Sequence, residues 1–197
     1  NIEPQTAELG EITDEINNDL GKLKKIAGRF SKIGSKPKLD KENINIVIQK
    51  VSDYFEKRIP TLVNADGIAT KKVRIEIKSK RDYSAEINLD LFEWVIENLI
   101  KNAIDAMERH TGKIIFNIYD NNEEVIIDVS DNGKGIDSKY KKDVFRPGYS
   151  TKTRGWGLGL SLSKRIIEDY HKGKLVLLES NTGKGTTFRI KLNKNQT

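Results

Sequence analysis

Apolar residues at Ile12, Ile16, Leu20, Leu23, Ala27, Phe30 and Ile33 recur at steps of three and four, close to the seam of a heptad repeat. Polar residues fill the positions between them, so the spacing predicts a long helix with a narrow apolar stripe. Gly34 and Pro37 stop it, and residues 35–41 read as a linker. Helical periodicity resumes over 43–59 through Ile44, Val47, Ile48, Val51, Tyr54 and Phe55, and Pro60 ends it. Residues 61–70 are polar and read as a loop, after which residues 73–78 alternate as a half-buried strand does. A second long helix is predicted over 88–109, on Leu89, Phe92, Val95, Ile96, Leu99, Ile100, Ala103, Ile104 and Met107. Alternating strands at 113–119 and 124–130 are joined through Asp120-Asn121-Asn122. A helix at 161–170 precedes a last pair of strands, 174–179 and 186–192, joined through Asn181-Thr182-Gly183-Lys184-Gly185.

This order implies an α+β chain with a mixed sheet. Strands that alternate leave one face solvated or partly covered, and helices cover the other in a two-layer α/β sandwich. The 1–36 stretch is expected to stand apart from a domain spanning 37–197.

Composition narrows the function classes. With 36% hydrophobic and 32% charged residues in 197, the chain has material for one good core and a wet surface. It has no cysteine, which excludes disulfides and thiolate metal sites. No apolar run reaches the length of a membrane span. The chain begins at Asn1, not Met, and is expected to be a piece of something longer. A net charge of +6 favours an anionic partner, nucleic acid or nucleotide, although most lysines lie among acids as on a solvated face.

The chemistry concentrates between Asp131 and Leu160. That stretch opens with Asp131-Asn132-Gly133-Lys134-Gly135-Ile136 and closes with Gly155-Trp156-Gly157-Leu158-Gly159-Leu160, running straight into the 161–170 helix. Glycines let backbone N–H groups turn toward an anion, and a glycine-rich turn before a helix suits phosphate. A basic loop, with Lys139, Lys141, Lys142, Arg146, Lys152 and Arg154, separates the two clusters. Upstream, Asn98, Asn102 and Asp105 share one helical stripe beside the apolar arc. Amide oxygens suit a hard cation such as Mg²⁺; caps on neighbouring turns are the plain alternative.

These segments resemble the N box (Glu97 to Met107), G1 box (Asp131 to Ile136), F box (Val144 to Lys152) and G2 box (Gly155 to Leu160) of sensor histidine kinases. Those kinases belong to the GHKL ATP-binding superfamily. The resemblance covers about the last three-quarters of the chain, and the "Asn-Ala-Ile-Asp-Ala" and "Pro-Gly-Tyr-Ser-Thr-Lys" wording is nearest the nitrogen-regulation type. It implies the Bergerat fold, with ATP and Mg²⁺ as cofactors. Asn98 and Asn102 would hold the metal. The nucleotide would be bound by these two with Asp105, Asp131, Gly133, Gly135, Ile136, Phe145, Lys152, Gly155, Gly157, Leu158, Gly159, Leu160 and Thr186. Asp131 would accept from the adenine amino group, with Thr186 beside it. Lys152 would touch phosphate, and Phe145 would anchor the lid between the G1 and G2 boxes.

Catalytic roles would fall to Asn98 and Lys152, with Glu97 in support. Where the superfamily's ATPases carry a water-activating Glu, this chain has Asn98, an amide that is no general base at neutral pH. The resemblance therefore implies phosphoryl transfer to a histidine of the parent kinase, followed by relay to an aspartate of a response regulator receiver domain. The stretch 1–36 would be the second helix of a dimerisation hairpin that makes the parent a homodimer. The acceptor histidine would precede residue 1, since neither His110 nor His171 stands in a His-Glu-x-x-x-Pro-like box; both read as structural. The expected location is the cytoplasm, with no membrane contact by this part of the chain and any anchor in missing N-terminal segments. Two other classes remain open. A non-catalytic nucleotide sensor would bind ATP without transfer. A nucleic-acid binder would show strongly salt-dependent oligonucleotide affinity, but the chain lacks an interleaved aromatic platform, and no nucleic-acid partner is expected.

Overall fold

A computed structural model describes residues 37–58, 72–107, 111–151 and 156–194. The stripe from Ile12 to Ile33, the 61–70 loop, His110, Lys152, Arg154 and Gly155 lie outside the described residues. Strand β1 (Asp40–Asn43) leads into helix α1 (Ile44–Arg58), and strands β2 (Lys72–Ser79) and β3 (Ser84–Ile87) precede helix α2 (Leu89–Ala106). Strands β4 (Thr111–Asp120) and β5 (Glu124–Asp131) follow. Helix α3 (Gly159–Arg165) continues as one wider π-helical stretch over Ile166–Tyr170, and the hairpin β6 (Lys174–Asn181) and β7 (Gly185–Asn193) closes the fold.

Five strands form one mixed sheet in the order β2-β4-β5-β7-β6, as the alternating segments imply. β2 and β4 run parallel, with Ile75 opposite Ile114, and the other neighbours are antiparallel. The pairing of β1 with β3, Asp40 opposite Ile87, takes up Asp40 and Lys41 at the end of the linker expected at 35–41, and Asn43 at the start of the helix expected at 43–59. Asp40-Lys41-Glu42-Asn43 has no apolar alternation to betray a strand. Its partner supplies the burial instead, through Ala85 and Ile87.

The core lies between the sheet and the helices. Residues two apart on a strand share a face, so Ile114, Phe116 and Ile118 of β4 line up with Val125, Ile127 and Val129 of β5 and with Phe188, Ile190 and Leu192 of β7. Against them α2 buries Leu91, Phe92, Val95, Ile96, Leu99, Ile100 and Ala103, the arc its 3.6-residue period selects. Each of the larger side chains contributes about 1.5–3 kcal/mol by leaving water. Asn88 caps α2, its Oδ1 accepting from the Leu91 N–H at 3.2 Å.

The other face of the sheet carries ion pairs. Arg189 donates from Nε and one Nη to the two carboxylate oxygens of Asp128, at 2.7 and 2.8 Å, and also to the Tyr119 hydroxyl at 2.8 Å. Glu76–Lys113 and Glu124–Lys191 pair on the same face. A sheet covered on one side and charged on the other is the two-layer arrangement that the alternation predicts.

Candidate functional site

α2 and α3 meet at Asn98. Its Nδ2 donates to the Ser163 hydroxyl at 2.9 Å, and its Oδ1 lies so close to Gly159 that a Cβ there would come within 2.3 Å. The N box and G2 box are therefore one joint, and any side chain at 159 would have to push the Asn98 carboxamide aside. Asn102, one turn further on, is half-buried, and Asp105 is exposed near the end of the helix.

The G1 box packs on that same end of α2. The Lys134 N–H donates to the Ala106 carbonyl at 2.8 Å, and a Cβ on Gly133 would meet that carbonyl oxygen at 2.7 Å. Asp131, the last residue of β5, pairs across the sheet with Thr186, and one carboxylate oxygen accepts from the Gly133 N–H at 2.8 Å. Burial pushes the carboxyl above its ordinary 3.8, while the backbone amides of Gly133 and Thr186 pull it back. Gly135 adopts φ +72° and lies against the Asn181 carbonyl, where a Cβ would intrude to 2.1 Å. The Ile136 N–H donates to the Ser180 hydroxyl at 2.8 Å. The first glycine cluster is thus fastened to the helix on one side and to the β6–β7 hairpin on the other.

The F box and G2 box touch through their backbones. The Gly148 N–H donates to the Gly157 carbonyl at 3.1 Å. Phe145 stacks edge-on against Phe188 of β7 at 6.0 Å, and the Lys164 ammonium of α3 lies 4.9 Å from its ring centroid. Leu158 leads into α3 without a side-chain cap, and Gly159 and Leu160 follow, half-buried, in the first turn. Trp156 is 49% exposed beside them.

The structure does not bring every predicted residue to this place. Glu97 pairs with Lys101 along the helix at 3.5 Å, and Lys101 in turn lies over the Phe55 ring of α1. Glu93, four residues earlier on the same stripe, binds Lys50 of α1 at 2.6 Å. The Glu93–Glu97–Lys101 stripe thus serves the α1 side, about 100° around the helix from Asn98. His171 is fully buried. Its Nδ1–H donates to the Ile166 carbonyl at 2.9 Å, and its Nε2 accepts from the Asn88 N–H at 3.0 Å, a structural place.

Sequence reasoning missed Ser163 and Ser180. Ser163 is buried in the G2 helix and reads as an ordinary helix residue. Ser180 falls one residue past the strand expected at 174–179, whereas β6 extends to Asn181; a small hydroxyl next to that strand is the available signal.

Three helices on one face of a mixed sheet, with two glycine turns gathered about α2, define a nucleotide-binding domain of the Bergerat type. Residues 87–196 match the model of the histidine kinase-, DNA gyrase B-, and HSP90-like ATPases, and the chain belongs to that family. It is 35% identical over 138 residues to Sporulation kinase C of Bacillus subtilis, covering 69% of this chain and 31% of that protein. It is 36% identical over 168 residues to the signal transduction histidine-protein kinase AtoS of Escherichia coli, covering 76% and 27%. The solved catalytic domain of the histidine kinase ThkA superposes with a TM-score of 0.67 at 30% identity, over 79% of this chain and 95% of that one. A complex of ThkA with the response regulator protein TrrA matches with a TM-score of 0.69 at 26% identity, over 91% of this chain and 49% of that one. The chain spans about a third of the length of the curated relatives. It is an ATP-binding catalytic domain of the histidine kinase type. Among the described residues no helix is long and apolar enough to cross a membrane.

Proposed function

We propose that this domain positions Mg²⁺–ATP for transfer of the γ-phosphoryl group to a histidine supplied by another part of a sensor kinase. The observation that carries this reading is Asp131, a desolvated carboxylate at a strand end, held between Gly133 and Thr186. Such a group discriminates for a base that offers an amino donor, because an unpaired acceptor in a dry site is costly. Gly159 packs directly on the Asn98 carboxamide, leaving no room for a Cβ, and this sets the N box beside the G2 turn, where a phosphate chain would meet both. The donor set at Asn98 and Asn102 is neutral oxygen, which fits Mg²⁺ bridging phosphates. The metal would supply charge neutralisation on the transferring group.

In this reading Gly133, Gly135 and Ile136 shape the base pocket. Gly155, Gly157, Leu158, Gly159 and Leu160 present backbone to phosphate, Phe145 anchors the lid, and Lys152 meets the phosphates. Asn98 orients and does not abstract a proton, so an isolated domain hydrolyses ATP slowly. Residues 1–36 form the second helix of a dimerisation hairpin, 37–197 the catalytic domain, and the acceptor histidine lies elsewhere in a homodimeric parent. ThkA's complex with TrrA supports relay to a response regulator. The domain works in the cytoplasm, without contact to membrane or nucleic acid.

Calorimetry of ATP and GTP binding to wild type and Asp131→Asn tests the reading. The variant should lose about tenfold or more in ATP affinity and most of its preference over GTP. Unchanged affinity and preference would falsify it. Mixing the chain with ATP, Mg²⁺ and a histidine-bearing parent hairpin should yield acid-labile phosphate on the hairpin.

A further inference from the structure

We infer that Ser180 is a positioning residue for base recognition, the hydroxyl that locks the first glycine turn to the strand pair carrying Asp131. The inference rests on Asp131 being the adenine acceptor. Ser180 is 2% exposed, and its Oγ is the meeting point of three segments. It accepts from the Ile136 N–H at 2.8 Å, at the exit of the glycine turn. It donates to the Gly185 carbonyl at 3.1 Å, at the start of β7. It lies 2.9 Å from the Thr186 hydroxyl, and with its own proton committed to Gly185, Thr186 is the donor of that pair.

Each of these partners bears on Asp131. Thr186 is its cross-strand neighbour and gives it a backbone amide. Gly185 adopts φ +93°, and a Cβ there would come within 1.9 Å of the Asp131 carbonyl oxygen. Ile136 closes the turn whose Gly133 N–H holds the Asp131 carboxylate. One further bond joins the turn to the hairpin, from the Gly183 N–H to the Lys134 carbonyl at 2.7 Å, and another joins the turn to α2, from the Lys134 N–H to the Ala106 carbonyl. Those are backbone bonds that any sequence could make. The Ser180 hydroxyl is the side-chain component, and it joins the turn to the hairpin at the level of Asp131 and Thr186.

Alanine at 180 removes an acceptor from one half-buried N–H and a donor from one buried carbonyl, and leaves the Thr186 hydroxyl free to rotate. The turn and Thr186 then shift relative to the Asp131 carboxylate. The triphosphate subsite, built on α3 and Asn98, is attached elsewhere. A defect at Ser180 is therefore read in base selectivity ahead of triphosphate binding.

The test measures ATP and GTP affinity by calorimetry for the whole chain in wild type, Ser180→Ala, Ser180→Thr and Asp131→Asn, with thermal melting of each. Ser180→Ala should weaken ATP binding about fivefold to tenfold and reduce the ATP-to-GTP ratio by a similar factor, with GTP affinity nearly unchanged. Ser180→Thr, which restores the hydroxyl, should recover the ratio. Ser180→Cys keeps the volume with a weak acceptor and gives the same reading if the alanine variant does not fold. Equal loss of ATP and GTP affinity, or wild-type selectivity in both the alanine and the cysteine variant, overturns the inference while Asp131→Asn remains defective. If Asp131→Asn also binds ATP and GTP as wild type does, the adenine reading itself has failed.

Discussion

Asp131 is placed where its charge is unfavourable, and this sets two opposite effects at one residue. A carboxyl whose folded-state pKa lies above 3.8 is ionised at neutral pH at a cost to the native state. That cost is present above the folded pKa and disappears as pH falls through it, because the native protein then binds the proton more readily than the unfolded chain. Asp131→Asn should therefore leave the melting temperature at pH 7 unchanged or raised while nucleotide affinity falls, as scanning calorimetry with and without ATP can check. Gly159 offers the complementary case. Alanine there gains up to about 1 kcal/mol of helix propensity, but its Cβ would displace the Asn98 oxygen from 2.3 Å. Stability should be nearly unchanged and ATP affinity should drop about tenfold or more; an alanine variant binding ATP normally would remove Asn98 from the site.

At the scale of elements, His171 ties the start of α2 to the last turns of the α3 helix. Only a neutral ring donates to the Ile166 carbonyl and accepts from Asn88 at once. The same Ile166 carbonyl also accepts the His171 N–H at 3.2 Å, five residues on, which accompanies the widening over Ile166–Tyr170. Burial holds the imidazole below its ordinary 6.5. As pH falls below 6.5 the unfolded chain takes up a proton that the native ring resists. The stability supplied by His171 is therefore complete above 6.5 and is lost from there down to the folded pKa, at up to about 1.4 kcal/mol per pH unit. Melting temperatures between pH 8 and 5.5 should fall with this sign, and His171→Gln should flatten the fall. The two elements so joined carry the N box and the G2 box, so loosening this joint is expected to weaken nucleotide binding as well.

Over the whole molecule, the sheet is the frame that fixes Asp131 against Thr186, and its charged face contributes to that rigidity. Arg189 and Asp128 form a two-pronged pair across β5 and β7, with Asp128 nearly buried. Arg189→Met strands a desolvated carboxylate and should cost about 2–4 kcal/mol by urea denaturation. Adding Asp128→Leu should recover most of it, because an apolar pair does as well as a buried ion pair. The same pairing bears on the net charge of +6. Lys113, Lys191 and Arg189 are engaged by acids on that face, so part of this positive charge is balanced locally.

The sequence by itself determined the long α2 helix, the alternation of the five sheet strands and the order of the glycine boxes. Those features are local: a period of 3.6 or 2, or a run of neighbouring glycines, is written in adjacent positions. It also separated Glu97 from Asn98 in angle, since one residue of helix is enough to do that, but which neighbour lies on each side is a property of packing. Tertiary structure alone decided that Ser163 meets Asn98 across 65 residues, that Ser180 meets Ile136 across 44, and that His171 meets Asn88 across 83. It also decided the β1–β3 pairing, where an all-polar segment borrows its burial from Ala85 and Ile87. A hydrogen bond needs only a donor and an acceptor brought within about 3 Å. Nothing in the spacing of serines and histidines along a chain says which of them the fold will bring together.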